Sequence, residues 1–196
     1  MAVSYINRKG FHSVLLQSVC DNNMLFTDCY AGEAGSNHDA CMLRRSELFQ
    51  LLQPGSPSFP ADTHILGDPA YPIMEHLLVP FKDTGRLGAR EHQFNKTLSS
   101  ARCTIERAFA LLKGLFRRLK MLDMARLDLV PEVIVACCVL HNVCLDMQDD
   151  IDCDIADATC NVSDEQNERS DHVSVADRKA GVAKRESIAN LLIMRR

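Results

Sequence analysis

The sequence predicts an α/β domain followed by an acidic tail. Three observations carry that expectation: two β-branched runs of strand length around a turn near the N-terminus, two long helical runs after residue 97, and a collapse of apolar content near residue 146. At 196 residues the chain is long enough for one sizeable domain and short for two ordinary domains with separate cores. Hydrophobic residues at 46% and charged residues at 24% are globular proportions and exclude wholesale disorder or a fibrous repeat.

Taken in order, Phe11 to Cys20 mixes apolar and β-branched residues, Asp21-Asn22-Asn23 supplies a turn, and Met24 to Tyr30 resumes as a second strand, which is a hairpin. Gly35 breaks the pattern. From Asp39 to Leu52, residues Met42, Leu43, Leu48, Leu51 and Leu52 recur at helical spacing. The Pro/Gly/Ser cluster at 54–60 is a loop, a short apolar strand runs from His64 to Gly67 and ends on Asp68, and another lies at Leu77 to Phe81. Glycines and charges mark 82–96 as a surface loop. Leu98 to Met121 has no proline and places Ile105, Phe109, Leu112, Phe116 and Leu119 three or four apart, the strongest helix signal in the chain. Pro131 to Leu145 begins with proline at a helix start and is apolar nearly all round, so it is expected to be buried. The predicted order is β-β-α-β-(α)-β-α-α, with no internal repeat.

The net charge of −4 is unevenly spread. Residues 82–126 hold 11 basic and 4 acidic side chains, whereas 127–168 hold no Lys or Arg and 11 acids. Half of the positions from Asp146 to Asp157 are Asp, too polar to bury a core, so 146–176 is expected to be a disordered acidic linker and 177–196 a tail with a short helix. The acidic run lacks the glycine and bidentate Glu of a calcium loop. Nine cysteines stand without CxxC pairs and read as reduced, mostly buried thiols of an intracellular protein. No uninterrupted apolar run approaches the roughly 18–20 residues of a membrane span, and Met1 to Cys20 lacks the regions of a secretory signal.

Three acids stand out by setting. Asp39 closes Gly35-Ser36-Asn37-His38-Asp39 after the hairpin, Asp68 ends a short apolar strand, and Glu106 borders the apolar stripe of the long helix, one turn from Arg102. Strand ends are where open α/β sheets place functional groups. Carboxylates that converge from separate elements repel one another unless a hard cation such as Mg²⁺ or Mn²⁺ sits between them, and such clusters suit phosphodiester hydrolysis. Each acid taken singly also reads as a helix cap, a turn residue or a surface charge. Arg8 and Lys9 beside a glycine, and Lys113, Arg117 and Arg118 on the long helix, are candidates for phosphate contacts; a solvated basic face is the alternative. His38 and His141 read as hydrogen-bonded structural histidines.

At these residues the sequence resembles the Harbinger-type transposase-derived nucleases of the DDE superfamily. Tyr5-Ile6-Asn7-Arg8-Lys9-Gly10-Phe11-His12-Ser13 with Val19-Cys20-Asp21 is similar to that family's turn into a sheet strand. Gly35-Ser36-Asn37-His38-Asp39 is similar to its Gly-Ser-x-x-Asp motif, and Leu66-Gly67-Asp68 to its Leu-Gly-Asp motif. Ile105-Glu106-Arg107-Ala108-Phe109 with Leu112-Lys113 and Phe116-Arg117 resembles the helix of its last acid, and Ala136-Cys137-Cys138-Val139-Leu140-His141-Asn142 its closing helix.

The resemblance implies an RNase H-like fold, a mixed sheet flanked by helices, over residues 1–145. It further implies divalent cations (Mg²⁺ or Mn²⁺), DNA as substrate, and catalytic and metal-ligand roles for Asp39, Asp68 and Glu106. A separate Myb/SANT-like DNA-binding protein is the implied partner, the nucleus and also the cytoplasm the implied location, with no membrane association. The family's first catalytic Asp, in an Asp-Gly motif upstream of the Asn-Arg-Lys-Gly turn, has no match in this sequence. The expectation is therefore an N-terminally incomplete domain that lacks the first, central strand, with weak or no catalysis. The alternative is a non-catalytic DNA-binding or protein-interaction module derived from a transposase.

Overall fold

The computed structural model describes residues 5–7, 9–57, 59–60, 62–124, 126–147 and 173–194. Most of the expected acidic linker, and Arg8, lie outside them. The α/β expectation holds. Among the described residues the strands form two separate pairs, one antiparallel and one parallel, rather than one continuous mixed sheet. The chain divides into two compact units, Met1–His38 with Cys103–Asn161 and Asp39–Arg102 with Val162–Arg196. The apolar residues accordingly gather in more than one cluster, where the length suggested a single core.

The first unit is built on a hairpin of β1 (Val14–Cys20) and β2 (Phe26–Ala34). Its turn is set by Asp21, whose Oδ1 accepts the N–H groups of Asn23 (2.8 Å) and Leu25 (2.9 Å), while Met24 takes a φ of 67°. The register jumps between Leu15/Leu16 and Val19/Cys20. At the first jump Gly32 is the extra residue of a bulge; its φ of +116°, and the ring of Pro131 2.8 Å from where a Cβ would stand, leave room for glycine alone. α4 (Val130–Asp146) completes the unit: Asn142 accepts the Phe26 N–H and donates to the Phe26 carbonyl, both at 2.8 Å. His141 Nε2 bonds to the carbonyl of Met24 at 3.0 Å, as expected of a structural histidine. Phe26, Ala108, Leu112 and Cys138 form the core.

Two expectations about α4 are corrected. Its apolar circumference is only half used: Ile134, Cys138 and His141 are buried, whereas Val139 and Leu140 are 57% and 50% exposed. The stretch Leu127–Asp146 is also long and apolar enough to cross a membrane by length and composition, with a mean hydropathy of 1.7. Its acids stand near the ends and it carries no Lys or Arg, so a search for uninterrupted apolar runs passes over it.

The second unit holds α1 (Asp39–Arg45), α2 (Glu47–Leu51), β3 (Ile65–Leu66), β4 (Leu77–Leu78) and α5 (Val175–Met194). The single helix expected from Asp39 to Leu52 is broken at Ser46, which is extended (ψ 154°) and whose hydroxyl donates to the Leu43 carbonyl at 2.7 Å. β3 and β4 pair in parallel, Ile65 with Leu77 and Leu66 with Leu78. α3 (Ala89–Leu115) contributes its residues up to Arg102 to this unit and those from Cys103 to the first. It starts nine residues earlier than the periodicity placed it, because Ala89 to Lys96 are adequate helix formers without an apolar stripe to announce them. It gives way to a 3-10 turn at Arg117–Lys120. α5 is a full helix of 20 residues. Phe94, Leu98 and Ala189 form an apolar cluster here with Phe81, Ile188 and Leu192. The expectation of reduced, mostly buried thiols is corrected: among the described residues six cysteines (20, 29, 41, 137, 138 and 144) are free but only Cys138 of them is fully buried, and Cys103 is disulfide-bonded.

Candidate functional site

Asp68 stands two residues past the end of β3, after Gly67. Its Oδ1 accepts the N–H of Ala70 at 3.1 Å and its backbone carbonyl accepts the N–H of Tyr71 at 3.1 Å, so the turn after the strand winds around this one residue. That turn explains why Pro69 is tolerated: neither bond needs an N–H at position 69. The other carboxylate oxygen, Oδ2, lies 2.9 Å from the guanidinium of Arg102 on α3, and both side chains are mostly buried, at 26% and 21% exposure.

Tyr71 reports what else is near. Its hydroxyl is held well above the ordinary tyrosine range, chiefly by burial, then by the negative charges of Asp39 and Asp68, with Arg102 acting in the opposite sense. Asp39, the first residue of α1, and Asp68, at the end of β3, thus act on the same phenol although 29 positions separate them. Tyr71 stays a neutral hydroxyl, able to donate a hydrogen bond at any physiological pH.

Glu106 stands on α3 one turn beyond Arg102, half-buried, in the first unit. Among the described residues no group of three or more His, Cys, Asp or Glu side chains is assembled as a metal cluster. The donor chemistry of Asp39 and Asp68 nonetheless fits a hard divalent ion, since Mg²⁺ is commonly bound through one or two carboxylates and keeps several waters for a phosphate to replace. Of the phosphate-contact candidates, Lys9 is exposed near the N-terminus, Lys113 lies exposed in the last turn of α3, and Arg117 and Arg118 are exposed on the 3-10 turn that follows.

Sequence reasoning singled out Asp39 and Asp68 but missed Tyr71, which feels both charges, and Arg102, which pairs with Asp68. Tyr71 carried one readable signal, an aromatic three positions after the acid. Arg102 was read only as a neighbour of Glu106 on one helix face, and its bond to Asp68, 34 positions away, has no local signature.

Residues 1–142 match the family described as DDE superfamily endonuclease. Among curated proteins the chain is similar to "Putative nuclease HARBI1" of Mus musculus, with 35% identity over 150 residues, covering 74% of this chain and 41% of the relative. It is also similar to "Protein ALP1-like" of Arabidopsis thaliana, with 28% identity over 185 residues, covering 89% of this chain and 45% of the relative. The Homo sapiens protein named "Putative nuclease HARBI1" is 31% identical over 148 residues, 74% of this chain and 41% of its own. The chain therefore spans less than half the length of these relatives. No solved structure gives a significant match.

Proposed function

The chain belongs to the DDE superfamily endonucleases, and from that membership we propose that the protein hydrolyses DNA phosphodiester bonds on an RNase H-like α/β scaffold with Mg²⁺ or Mn²⁺ as cofactor. The observation that carries the reading is the family match over residues 1–142, with Asp39 and Asp68, from separate elements, close enough to Tyr71 for both charges to raise its hydroxyl. These two carboxylates supply oxygen ligands for an ion. Glu106, the acid of the Ile-Glu-Arg-Ala-Phe motif, is assigned as the third by its resemblance to the family's pattern.

When bound, the ion supplies an activated water and neutralises charge that develops on the phosphate. The residues do the rest. Arg102 pairs with Asp68 at 2.9 Å and balances its charge, while the Asx-type turn fixes the carboxylate's direction. Tyr71 presents a neutral donor beside the acids. Lys9, Lys113, Arg117 and Arg118 are exposed and offer salt-sensitive contacts to the DNA backbone.

The test is conversion of supercoiled plasmid to the nicked form with Mn²⁺ or Mg²⁺ present, comparing the chain with Asp68→Ala and Glu106→Ala. Weak nicking by the parent chain, as the unmatched first Asp implies, that vanishes in both variants is the expected result. Nicking that survives both substitutions would sink the site assignment.

The exposure of Lys113, Arg117 and Arg118 favours a second reading, a DNA-binding module without catalysis. It predicts binding to duplex DNA that weakens with salt, persists in EDTA, and falls when these three residues are neutralised, with no cleavage under either metal.

A further inference from the structure

α5 lies beyond the matched segment 1–142 and bonds repeatedly to the backbone around the strand pair that leads to Asp68. β3 and β4 are two residues each, too short to hold themselves as a sheet. The N–H groups of Ile65 and Gly67 donate to the carbonyls of His76 (2.9 Å) and Leu78 (2.8 Å), so the backbone reaching Asp68 goes where β4 goes.

β4 is in turn gripped by α5 on both sides. Before the strand, Asp177 Oδ1 accepts the Glu75 N–H at 2.7 Å, and Gly181 lies so close that a Cβ there would come within 2.5 Å of the Met74 carbonyl oxygen. After it, the Arg185 guanidinium donates to the carbonyls of Val79 (3.3 Å) and Pro80 (3.1 Å) and lies 4.0 Å over the Phe81 ring. Lys184 Nζ donates to the carbonyl of Thr63, two residues before β3, at 2.7 Å. Asp177 is buried to 1% exposure, and an interior carboxylate costs stability unless it is hydrogen-bonded, so its bond to the Glu75 N–H ties α5 to the strand pair.

We propose that α5 is a positioning element of the acid site, in which Asp177, Lys184 and Arg185 fix the strand pair that presents Asp68. The proposal rests on Asp68 being a metal ligand, as read above. It is tested by titrating the intact chain with Mn²⁺, free Mn²⁺ being followed by electron paramagnetic resonance well below the melting temperature. The variants are Arg185→Ala, Arg185→Lys, Lys184→Met and Asp68→Asn.

Binding weakens about tenfold in Arg185→Ala and a few-fold in Lys184→Met, and Arg185→Lys recovers part of the loss, the size expected of outer-shell groups around a metal ligand. Wild-type Mn²⁺ affinity in both Arg185→Ala and Lys184→Met, whatever happens to their melting, overturns the positioning role while Asp68→Asn still binds weakly. Should Arg185→Ala fail to fold, Lys184→Met decides, because the Lys184–Thr63 bond it removes lies on the surface. Unchanged binding in Asp68→Asn overturns the metal reading itself, and the proposal with it.

Discussion

In each unit an asparagine on a helix closes both backbone groups of a phenylalanine: Asn142 for Phe26 in the first, Asn95 for Phe81 in the second, all four bonds at 2.8 Å. The carboxamide copies a peptide group and supplies the rung that a neighbouring strand would otherwise provide. What surrounds the two copies differs. Asn142 finishes a hairpin that already pairs along strands of 7 and 9 residues. Asn95 works beside two-residue strands, joined by Asp177, Lys184 and Arg185. The first unit is held by a ladder, and the second, which carries Asp39 and Asp68, by side chains reaching backbone from far along the sequence. Loss of one side chain should therefore spread further in the second.

The largest effects test that contrast directly. Asn142→Ala and Asn95→Ala each leave a part-buried N–H and C=O unpaired, at a cost of about 2–4 kcal/mol. Denaturant melts followed by circular dichroism give the sums, and amide exchange gives the spread. Asn95→Ala should lower protection at Phe81, Ile65 and Gly67 together, whereas Asn142→Ala should lower it at Phe26 and leave the rest of the β1–β2 ladder protected. Equal spread in both variants would erase the distinction.

Gly181→Ala comes next. The added Cβ would stand 2.5 Å from the Met74 carbonyl oxygen and 2.6 Å from its carbon, backbone atoms that do not yield, so α5 must lift. The expected loss is about 1–3 kcal/mol, read as lower protection of the Glu75 amide with the Phe26 amide unchanged.

Acidification separates the units by sign. Burial holds His141 below its ordinary value of 6.5, against a weaker opposing effect of its bond to Met24. The folded state binds the proton less than the unfolded state, so this part of the first unit's stability is present above about pH 6.5 and is lost as the pH falls below it. Burial raises the Asp177 carboxyl above 3.8, the Glu75 charge adding to the shift while the Glu75 N–H bond and His76 oppose it. Its folded state takes the proton first, so stability rises as the pH falls through that raised value towards 3.8. His64, lowered by burial, by Lys184 and by His76, works against that gain. Between pH 7.5 and 5 the Phe26 amide should lose protection, and His141→Gln should remove most of the loss. Asp177→Asn should stabilise the second unit at pH 7.5 by an amount that shrinks on acidification; a difference that grows instead would reverse the sign assigned here.

Much of the first unit was legible because its information is local. Strand-length runs of apolar and β-branched residues marked β1 and β2, Asp21-Asn22-Asn23 marked their turn, periodicity marked the later half of α3, and a proline start with nearly continuous apolar character marked α4. The second unit was legible only in outline. β3 and β4 were read as short apolar runs, but nothing in a two-residue strand announces its partner, and α5 was read as a tail with a short helix, a pattern that says nothing of the bonds Asp177, Lys184 and Arg185 make. The two acids were found from their motifs and strand-end settings. Tyr71, Arg102 and the α5 bonds act over separations of tens of residues, which no periodicity encodes.

The smallest effects come from one ion pair in each unit. Arg126 and Asp128 make a forked contact with a shortest distance of 2.6 Å, yet they are 68% and 62% exposed, and water screens what geometry offers. Arg126→Met should leave the melt unchanged within error. Arg102 and Asp68 meet at 2.9 Å and are about a quarter exposed, so Arg102→Met should cost about 0.5–1 kcal/mol. It should at the same time tighten Mn²⁺ binding, because a cation no longer has to displace the guanidinium from Asp68 or share its field. A stability loss paired with a binding gain marks a side chain that guards a charged site, whereas a loss in both would mark Arg102 as support alone.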